Sequence, residues 1–214
     1  MAVRGWPLLN CSSFVLGWRS CRFSREAIME RSLGFPGSAS HFFALLPDAA
    51  AAAAADRKAH ALRSWLGLSG RPRGTGKYHV SLWGWPAREG PGADGIRLIR
   101  RVAERISQAP FKVSFDEVAT FAQGAERRAL VMTGGDGVIG AARLHESLDR
   151  DIRAHGLRGG RSSCWPHMTL LYDRWRTEPF SVRPLSWRVT DFVLVRSVPR
   201  EPYVVLGRWT LAGS

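Results

Sequence analysis

The sequence predicts an α+β fold built from two similar halves. Each half contains a short apolar strand, then a helix, then a strand that opens with a histidine, and further strand follows. The histidine-bearing strands carry related peptides, HVSL at His79–Leu82 and HMTL at His167–Leu170. Because strand side chains alternate between two faces, each histidine shares a face with the hydroxyl residue two positions later. Two such strands beside one cleft would present two imidazoles and two hydroxyls to one substrate.

The first half starts near residue 41. Its predicted elements are a strand over His41–Leu46, a helix that starts at Ala49, continues through Trp65 and stops near Gly67 and Gly70, a basic glycine-rich loop over 71–77, a strand over Tyr78–Trp83, a helix over about Asp94–Ser107 and a strand over Phe111–Phe115. Asp48 is a typical N-cap and predicts where the first helix begins. Apolar residues at helical spacing predict the second helix, and Pro110 ends it.

The second half repeats this order. Its predicted elements are a strand over Arg128–Thr133, a helix over Val138–His155, a loop of Gly, Arg and Ser, the strand of the second histidine motif, and two closing strands over Ser186–Arg196 and Tyr203–Leu211. The repetition is structural, since the two halves share no long stretch of sequence. It places the two histidine motifs at equivalent positions.

The composition is that of a basic globular protein. The chain has 214 residues, of which 45% are hydrophobic, and a formal net charge of +13. Arginine supplies nearly all of the positive charge, because lysine occurs only at Lys58, Lys77 and Lys112. The basic excess favours a polyanionic partner, most often nucleic acid. The alternative is a genome-wide preference for arginine over lysine, and both interpretations stay open at this point.

The cysteines and the hydropathy favour a cytoplasmic protein. Cys11, Cys21 and Cys164 are odd in number and irregularly spaced, so they predict neither a disulfide framework nor a zinc site. No run reaches the roughly 18 apolar residues of a transmembrane helix, and no membrane partner is expected. A monomer is the default expectation.

Residues 1–39 differ from the rest, and we predict a disordered N-terminal extension ahead of one domain over 40–214. The segment is basic and only weakly apolar. A signal peptide, a basic transit peptide and an upstream start with the working start at Met29 are the alternatives.

A single H-x-[ST] peptide is a weak signal, and a strand histidine is more often structural than catalytic. The context of the pair changes this weighting, because both peptides lie in apolar strands, continue with leucine and follow loops rich in Gly, Arg or Pro. A matched pair of imidazoles favours acid–base chemistry on a phosphate ester, in which one histidine donates a proton and the other accepts one.

On these motifs the chain resembles the 2H phosphoesterase superfamily, and within it the LigT-like branch of bacterial 2′-5′ RNA ligases or RNA 2′,3′-cyclic phosphodiesterases. The resemblance covers about residues 41–212. It rests on five segments: Phe42–Pro47, Tyr78–Leu82, Pro166–Asp173 and the two closing strands over Trp187–Val198 and Tyr203–Leu211. One departure is Ser81, where threonine is commoner in the family; the hydroxyl is retained.

The resemblance implies a two-lobed fold of antiparallel sheet with a central cleft and the helices outside. It also implies that His79 is the general acid, that His167 is the general base, and that Ser81 and Thr169 bind the phosphate oxygens. The residues alone do not say which histidine has which role. No metal or cofactor is expected, because hydroxyls, backbone N–H groups and arginine can meet the charge on the phosphorane.

The resulting hypothesis is a metal-independent phosphoesterase that hydrolyses RNA 2′,3′-cyclic phosphate ends to 2′-phosphates. The enzymatic alternatives are 2′-5′ RNA joining and hydrolysis of a small cyclic nucleotide. The alternative from another class is a basic RNA-binding module without turnover.

Three further residues have two open interpretations each. Trp83 has the strand parity of His79 and would either face the cleft and stack on a base or lie in the core. Arg73 and Lys77 would either contact phosphate or belong to a solvated loop.

Three other features of the sequence suggest different functions, but each has a simpler interpretation. Residues 135–140 form a G-x-G-x-x-G peptide, but no acidic residue follows at the spacing of a dinucleotide site, which favours a plain strand-to-helix turn. Cys164 is set aside as a nucleophile because its offset of three from His167 puts them on opposite strand faces. The histidines in predicted helices, His60, His145 and His155, show no metal-ligand spacing.

Overall fold

A computed structural model of the chain describes residues 39–85, 90–122, 127–157 and 165–213. The strands are β1 (Ser40–Leu45), β2 (Val80–Trp85), β3 (Phe111–Ala122), β4 (Arg128–Thr133), β5 (Met168–Asp173), β6 (Phe180–Val189), β7 (Asp191–Ser197) and β8 (Val204–Thr210). The helices are α1 (Ala49–Trp65), α2 (Gly92–Ala103) and α3 (Ile139–Ala154), with short 3₁₀ turns at Thr75–Lys77 and Asp136–Val138. The predicted N-terminal extension lies outside the described residues, apart from residue 39, and so do all three cysteines.

The strands form one eight-stranded sheet in the order β6-β3-β4-β5-β2-β1-β7-β8, and every neighbouring pair is antiparallel. We call β2, β1, β7 and β8 the first lobe, and β5, β4, β3 and β6 the second lobe. The lobes meet at β2 and β5, which share the single register pair Val80↔Met168. The α+β class and the duplicated antiparallel architecture are confirmed.

Helix α1 begins where the sequence predicts. The Oδ1 atom of Asp48 accepts a hydrogen bond from the backbone N–H of Ala51 at 2.7 Å, which satisfies one of the free donors at the helix start. Helix α2 presents Ile99, Val102 and Ala103 to the core and ends at Ala103, four residues before the predicted end.

The helices cover one face of the sheet and pack across the junction between the lobes. Helix α1 follows β1 of the first lobe but contacts β5 and β6 of the second. Helix α3 belongs to the second lobe but contacts β2 of the first as well as β3. One apolar core therefore runs under both lobes, with Trp83, Phe115 and Leu148 among its largest buried side chains.

The predicted closing strand over Ser186–Arg196 is wrong as a single element. The structure breaks it at Thr190 into β6, at the outer edge of the second lobe, and β7, inside the first lobe. The alternation of apolar residues continues on both sides of the break. It therefore predicts extended structure throughout, but it does not show that β6 and β7 pair with different strands. Strand β3 is also longer than predicted and continues to Ala122.

The G-x-G-x-x-G peptide forms a turn that packs tightly on β3. A Cβ atom on Gly137 would lie 2.4 Å from the backbone oxygen of Ser114, and one on Gly140 would lie 2.3 Å from the ring of Phe111. Close packing therefore accounts for two of the glycines, and the surrounding sheet is antiparallel rather than a parallel dinucleotide-binding sheet.

In the described part of the chain, none of the helices combines the length and the apolar character that crossing a bilayer requires.

Candidate active site

The structure brings the two predicted histidines together on the face of the sheet opposite the helices. His79 immediately precedes β2 and His167 immediately precedes β5, and the residues that follow them, Val80 and Met168, form the junction pair. Both imidazoles are half-buried. Each rests against a phenylalanine of its own lobe, with ring centroids 5.0 Å apart for Phe42 and His79 and 4.9 Å apart for Phe121 and His167.

A β-bulge follows each histidine. In the first lobe Phe43 pairs with Trp83 and Ala44 pairs with Ser81, so Leu82 has no opposite residue. In the second lobe Leu130 pairs with Leu171 and Val131 pairs with Thr169, so Leu170 is the extra residue. The same position of both motifs is bulged, which extends the duplication to the geometry of single residues.

The bulge decides the position of Trp83. Strict alternation would return Trp83 to the face of His79, but the extra residue shifts the parity, and both Leu82 and Trp83 enter the core at 1% exposure. The indole Nε1–H donates to Asp149 at 3.1 Å. Trp83 is therefore a core residue, and the interpretation in which it stacks on a base is wrong.

The backbone selects the same tautomer for both imidazoles. His79 Nδ1 lies 3.0 Å from the carbonyl oxygen of Lys77, and His167 Nδ1 lies 2.9 Å from that of Trp165. Since a carbonyl oxygen only accepts, Nδ1 carries the proton and donates it in each case. In the neutral ring Nε2 is then the nitrogen with a free lone pair, and it is the atom available to a substrate.

Tyr203, just ahead of β8, completes the surroundings of His79. Its hydroxyl lies 3.1 Å from His79 Nδ1 and accepts from Nη2 of Arg73 at 3.4 Å. Its ring packs edge-on against Phe42, and the Lys77 ammonium lies 4.0 Å from the ring centroid. The sequence predicts Tyr203 only as the start of a closing strand, because no local signal shows that this strand starts beside a residue 124 positions earlier.

The two hydroxyl residues of the motifs are placed as strand parity predicts. Ser81 is exposed opposite Ala44, and Thr169 is half-buried opposite Val131. The open face therefore offers two nitrogens, two hydroxyls and nearby cations to one ligand.

Burial disfavours the charged form of both imidazoles and lowers the pKa of each. The pKa of His79 is lowered to about 4, mainly by burial; the hydrogen bond to the Lys77 carbonyl raises it, and repulsion from Arg73, His167 and Lys77 adds to the lowering. Burial also lowers the pKa of His167, against the Trp165 carbonyl. Folding thus favours the uncharged pair in the absence of an anion.

The loop before β2 is fastened to the motif strand of the other lobe by Asp173. Its Oδ2 accepts from the backbone N–H groups of Ser69 at 2.9 Å and Gly70 at 2.7 Å and from the Ser69 hydroxyl at 3.1 Å. Its Oδ1 accepts from the N–H groups of Arg174 at 2.7 Å and Trp175 at 3.1 Å. These bonds lower the carboxyl pKa against the opposing effect of burial, so the anchor is an anion.

Further contacts of this loop bring it close to the motif strand. The N–H of Arg73 donates to the carbonyl of Leu170 at 2.8 Å, and Pro72 forms an isolated bridge with Leu171. A Cβ atom at Gly70 would lie 2.0 Å from the Tyr172 oxygen, so only glycine permits this approach. The residues that lead into His79 are therefore held directly against the strand that follows His167.

Among the residues that the structure describes, no group of three or more His, Cys, Asp or Glu side chains could hold a metal ion.

Comparison with known proteins identifies the family to which the chain belongs. The model of the 2′-5′ RNA ligase superfamily matches residues 47–200. The chain belongs to this superfamily. Comparison with curated proteins yields no match.

Solved structures of the superfamily's fold match most of the chain. Escherichia coli LigT, solved in complex with 3′-AMP, is 24% identical with a TM-score of 0.61, and the match covers 83% of this chain and 99% of LigT. TT0787 of Thermus thermophilus is 25% identical with a TM-score of 0.61, over 82% and 99% of the two chains. Usb1 of Kluyveromyces marxianus is 14% identical with a TM-score of 0.51, over 80% and 98%. The LigT-like fold of a 2H phosphoesterase is confirmed.

Removing the Asp173 carboxylate should misplace the loop that carries His79. We expect Asp173→Ala to lower the free energy of unfolding by about 1–3 kcal/mol, because several donors lose their acceptor. Turnover should fall about 10–100-fold, because small displacements of reacting groups are costly. Urea denaturation and steady-state kinetics measure the two effects.

The matched control is Asp48→Ala, which removes a cap at the start of α1 and should cost about 1 kcal/mol without loss of turnover. Full turnover in Asp173→Ala, or an equal loss in both variants, would show that Asp173 has no positioning role.

The neighbouring cation should be visible in the titration of His79. We expect Arg73→Gln to raise the pKa of His79 from its low value, because one of the charges that oppose protonation is lost. Since the folded-state pKa lies below 6.5, stability should also fall as the pH drops from about 6.5 towards about 4, and by less in the variant. NMR titration of the imidazoles and urea denaturation at several pH values measure this. Arg143→Gln, at an exposed position on α3, is the control and should leave the pKa of His79 unchanged. If Arg73→Gln also left that pKa unchanged, the electrostatic account would be refuted.

Proposed function

We propose that the protein is a metal-independent phosphoesterase that hydrolyses RNA 2′,3′-cyclic phosphate ends to 2′-phosphates by acid–base catalysis with His79 and His167. The observation that carries this proposal is the arrangement of the imidazoles. They immediately precede Val80 and Met168, the register pair between β2 and β5, and both use Nδ1 to bind the backbone. Two like-oriented Nε2 atoms beside one surface suit a reaction that needs one proton donor and one proton acceptor.

In the proposed reaction a water oxygen attacks phosphorus while the bond from phosphorus to the ribose 3′ oxygen breaks. One imidazole takes the water proton, and the other donates a proton to the leaving 3′ oxygen, so a 2′-phosphate and a 3′-hydroxyl result. The family resemblance assigns the base role to His167 and the acid role to His79. After one turnover each imidazole is in the other's protonation state, and exchange of a proton with solvent restores the pair.

The surrounding groups suit an anionic substrate. Ser81 and Thr169 lie on the face of the histidines and would donate hydrogen bonds to the non-bridging phosphate oxygens. Arg73 and Lys77 lie close enough to His79 to lower its pKa, so a phosphate bound there would meet their charge. Negative charge that develops on phosphorus can thus be met by protein groups without a metal.

The nucleotide complexes of a structural relative support the substrate class. Escherichia coli LigT has been solved with 3′-AMP, with phosphate, with ATP and with NADP⁺. All of these are phosphate-bearing ligands, and three contain a nucleotide. A 2′,3′-cyclic phosphate end belongs to the same class of phosphate-bearing nucleotides, and in it a ribose oxygen of the same nucleotide is the leaving group.

Substitution of either histidine should abolish most of the activity. We expect His79→Ala and His167→Ala each to reduce turnover of a 2′,3′-cyclic-phosphate oligonucleotide about 10²–10⁴-fold, because each removes a positioned proton transfer. The assay is run in EDTA and follows appearance of the 2′-phosphate. His60→Ala, an exposed position on α1, is the control and should retain full activity.

Undiminished turnover in either active-site variant would contradict the mechanism, and loss of activity in EDTA would contradict its metal independence. Tight, salt-sensitive binding without any product would point instead to a non-catalytic RNA-binding module.

The pH dependence should reveal the lowered pKa values. Because the profile of kcat/KM reports the free enzyme, we expect a bell with its maximum below pH 6.5. The kcat profile should be displaced to higher pH, because a bound phosphate anion favours the imidazolium and raises its pKa. Profiles measured at constant ionic strength would check both; coincident profiles with a maximum above pH 7 would refute this electrostatic account.

A further inference from the structure

A row of aromatic and cationic side chains extends from the histidine pair across the open face. It starts at His79, whose Nδ1 lies 3.1 Å from the Tyr203 hydroxyl, and continues to Arg73, whose Nη2 lies 3.4 Å from the same hydroxyl. The Arg73 guanidinium carbon lies 5.3 Å from the ring centroid of Tyr172. The guanidinium carbon of Arg127 lies 3.8 Å from that centroid. Two arginines thus share one aromatic ring, the first beside the reaction site and the second beyond it.

Stacking leaves the binding capacity of these arginines largely unused. A guanidinium over a ring contacts its face, while its N–H donors lie in its plane and can bind a further group, as Arg73 Nη2 binds the Tyr203 hydroxyl. Within the described part of the chain, neither Arg73 nor Arg127 forms an ion pair with a carboxylate. Asp173 follows Tyr172 directly, but both of its oxygens already accept hydrogen bonds.

The ring that holds the arginines belongs to the same surface as His167. Tyr172 and Phe121 both pack against the small cluster of Ala119, Ala129 and Val131, and Phe121 contacts the His167 ring. Arg127 is exposed at the start of β4, at the outer side of this surface. A ligand that reacts between the histidines and continues along the open face would therefore reach Arg127 with its next charged group.

We propose that Arg73 and Arg127, stacked on Tyr172, form a subsite for the phosphate on the 5′ side of the terminal nucleoside, so that the enzyme prefers a phosphorylated or oligonucleotide end to a bare cyclic nucleoside. This inference rests on the proposed function and adds a specificity to it. Arg73 lies between both phosphates, whereas Arg127 meets only the second. Arg127 is therefore the residue that separates recognition of the second phosphate from the reaction itself.

The test compares two minimal substrates that differ in one group: a nucleoside 2′,3′-cyclic phosphate with a free 5′-hydroxyl and the same compound with a 5′-phosphate. For the unchanged enzyme we expect kcat/KM to be about tenfold higher with the 5′-phosphate, the scale of one charge-assisted contact at a solvated site. Arg127→Ala and Arg127→Gln should reduce this ratio to near one. Arg143→Ala removes the same charge from exposed α3, on the other face of the sheet, and should preserve the ratio.

The outcomes separate the two proposals. Hydrolysis of both compounds by the unchanged enzyme at the same kcat/KM would overturn the subsite alone, and so would a ratio that both Arg127 variants retain. A ratio that falls equally in Arg143→Ala would also overturn it, since general charge rather than a local subsite would then be responsible. Failure of the unchanged enzyme to hydrolyse either compound, or a cyclic-phosphate oligonucleotide, would overturn the proposed function and this inference with it.

Discussion

The junction between β2 and β5 is the constraint on which the site depends. The two strands that follow the histidines share a single register pair, so the sheet ladder alone fixes the position of one lobe against the other only weakly. Two other sets of contacts supply the missing constraint. Helices α1 and α3 each pack on strands of the opposite lobe, and the Asp173 carboxylate fastens the loop before β2 to the end of β5. The separation of the imidazoles is thus set by contacts outside the sheet ladder.

The bulges give this junction its chemistry. Regular strands would send every second residue to the open face, and both Leu82 and Leu170 interrupt that alternation directly after the histidine and the hydroxyl residue. The open face consequently receives the two functional side chains of each motif, and the apolar residues that follow return to the core. The carbonyl oxygens of the two bulged residues accept hydrogen bonds from groups outside the sheet. The Leu170 oxygen accepts from the backbone N–H of Arg73, and the Leu82 oxygen accepts from Nδ1 of His145. His145, predicted to be an ordinary surface or packing residue, thus supports the bulge of the other lobe.

Local and repeated features could be predicted from the sequence, whereas features set by distant partners could not. The start of α1 and both limits of β4 agree with the prediction to the residue, because an N-cap and a bounded apolar run are local signals. The motif pair could be found because duplication repeats it. The break between β6 and β7 was not predicted, because the alternation of apolar and polar residues indicates a strand but does not identify the strands that pair with it. Tyr203 and Asp173 escaped as site residues because their roles come from groups more than 100 positions away.

The cationic side chains fall into two groups that the structure separates. Several arginines form ordinary surface pairs, such as Arg153 with Asp149 on α3 and Arg208 with Asp191 between β7 and β8. Such exposed pairs contribute little to stability and explain no function. The cations beside His79 differ, because they oppose its protonation in the free protein. In the proposed reaction a bound phosphate offsets those cations and favours the imidazolium, so the proton donor would form mainly when an anion occupies the site. The same cations that attract the anionic substrate would then make protonation of the general acid depend on substrate binding.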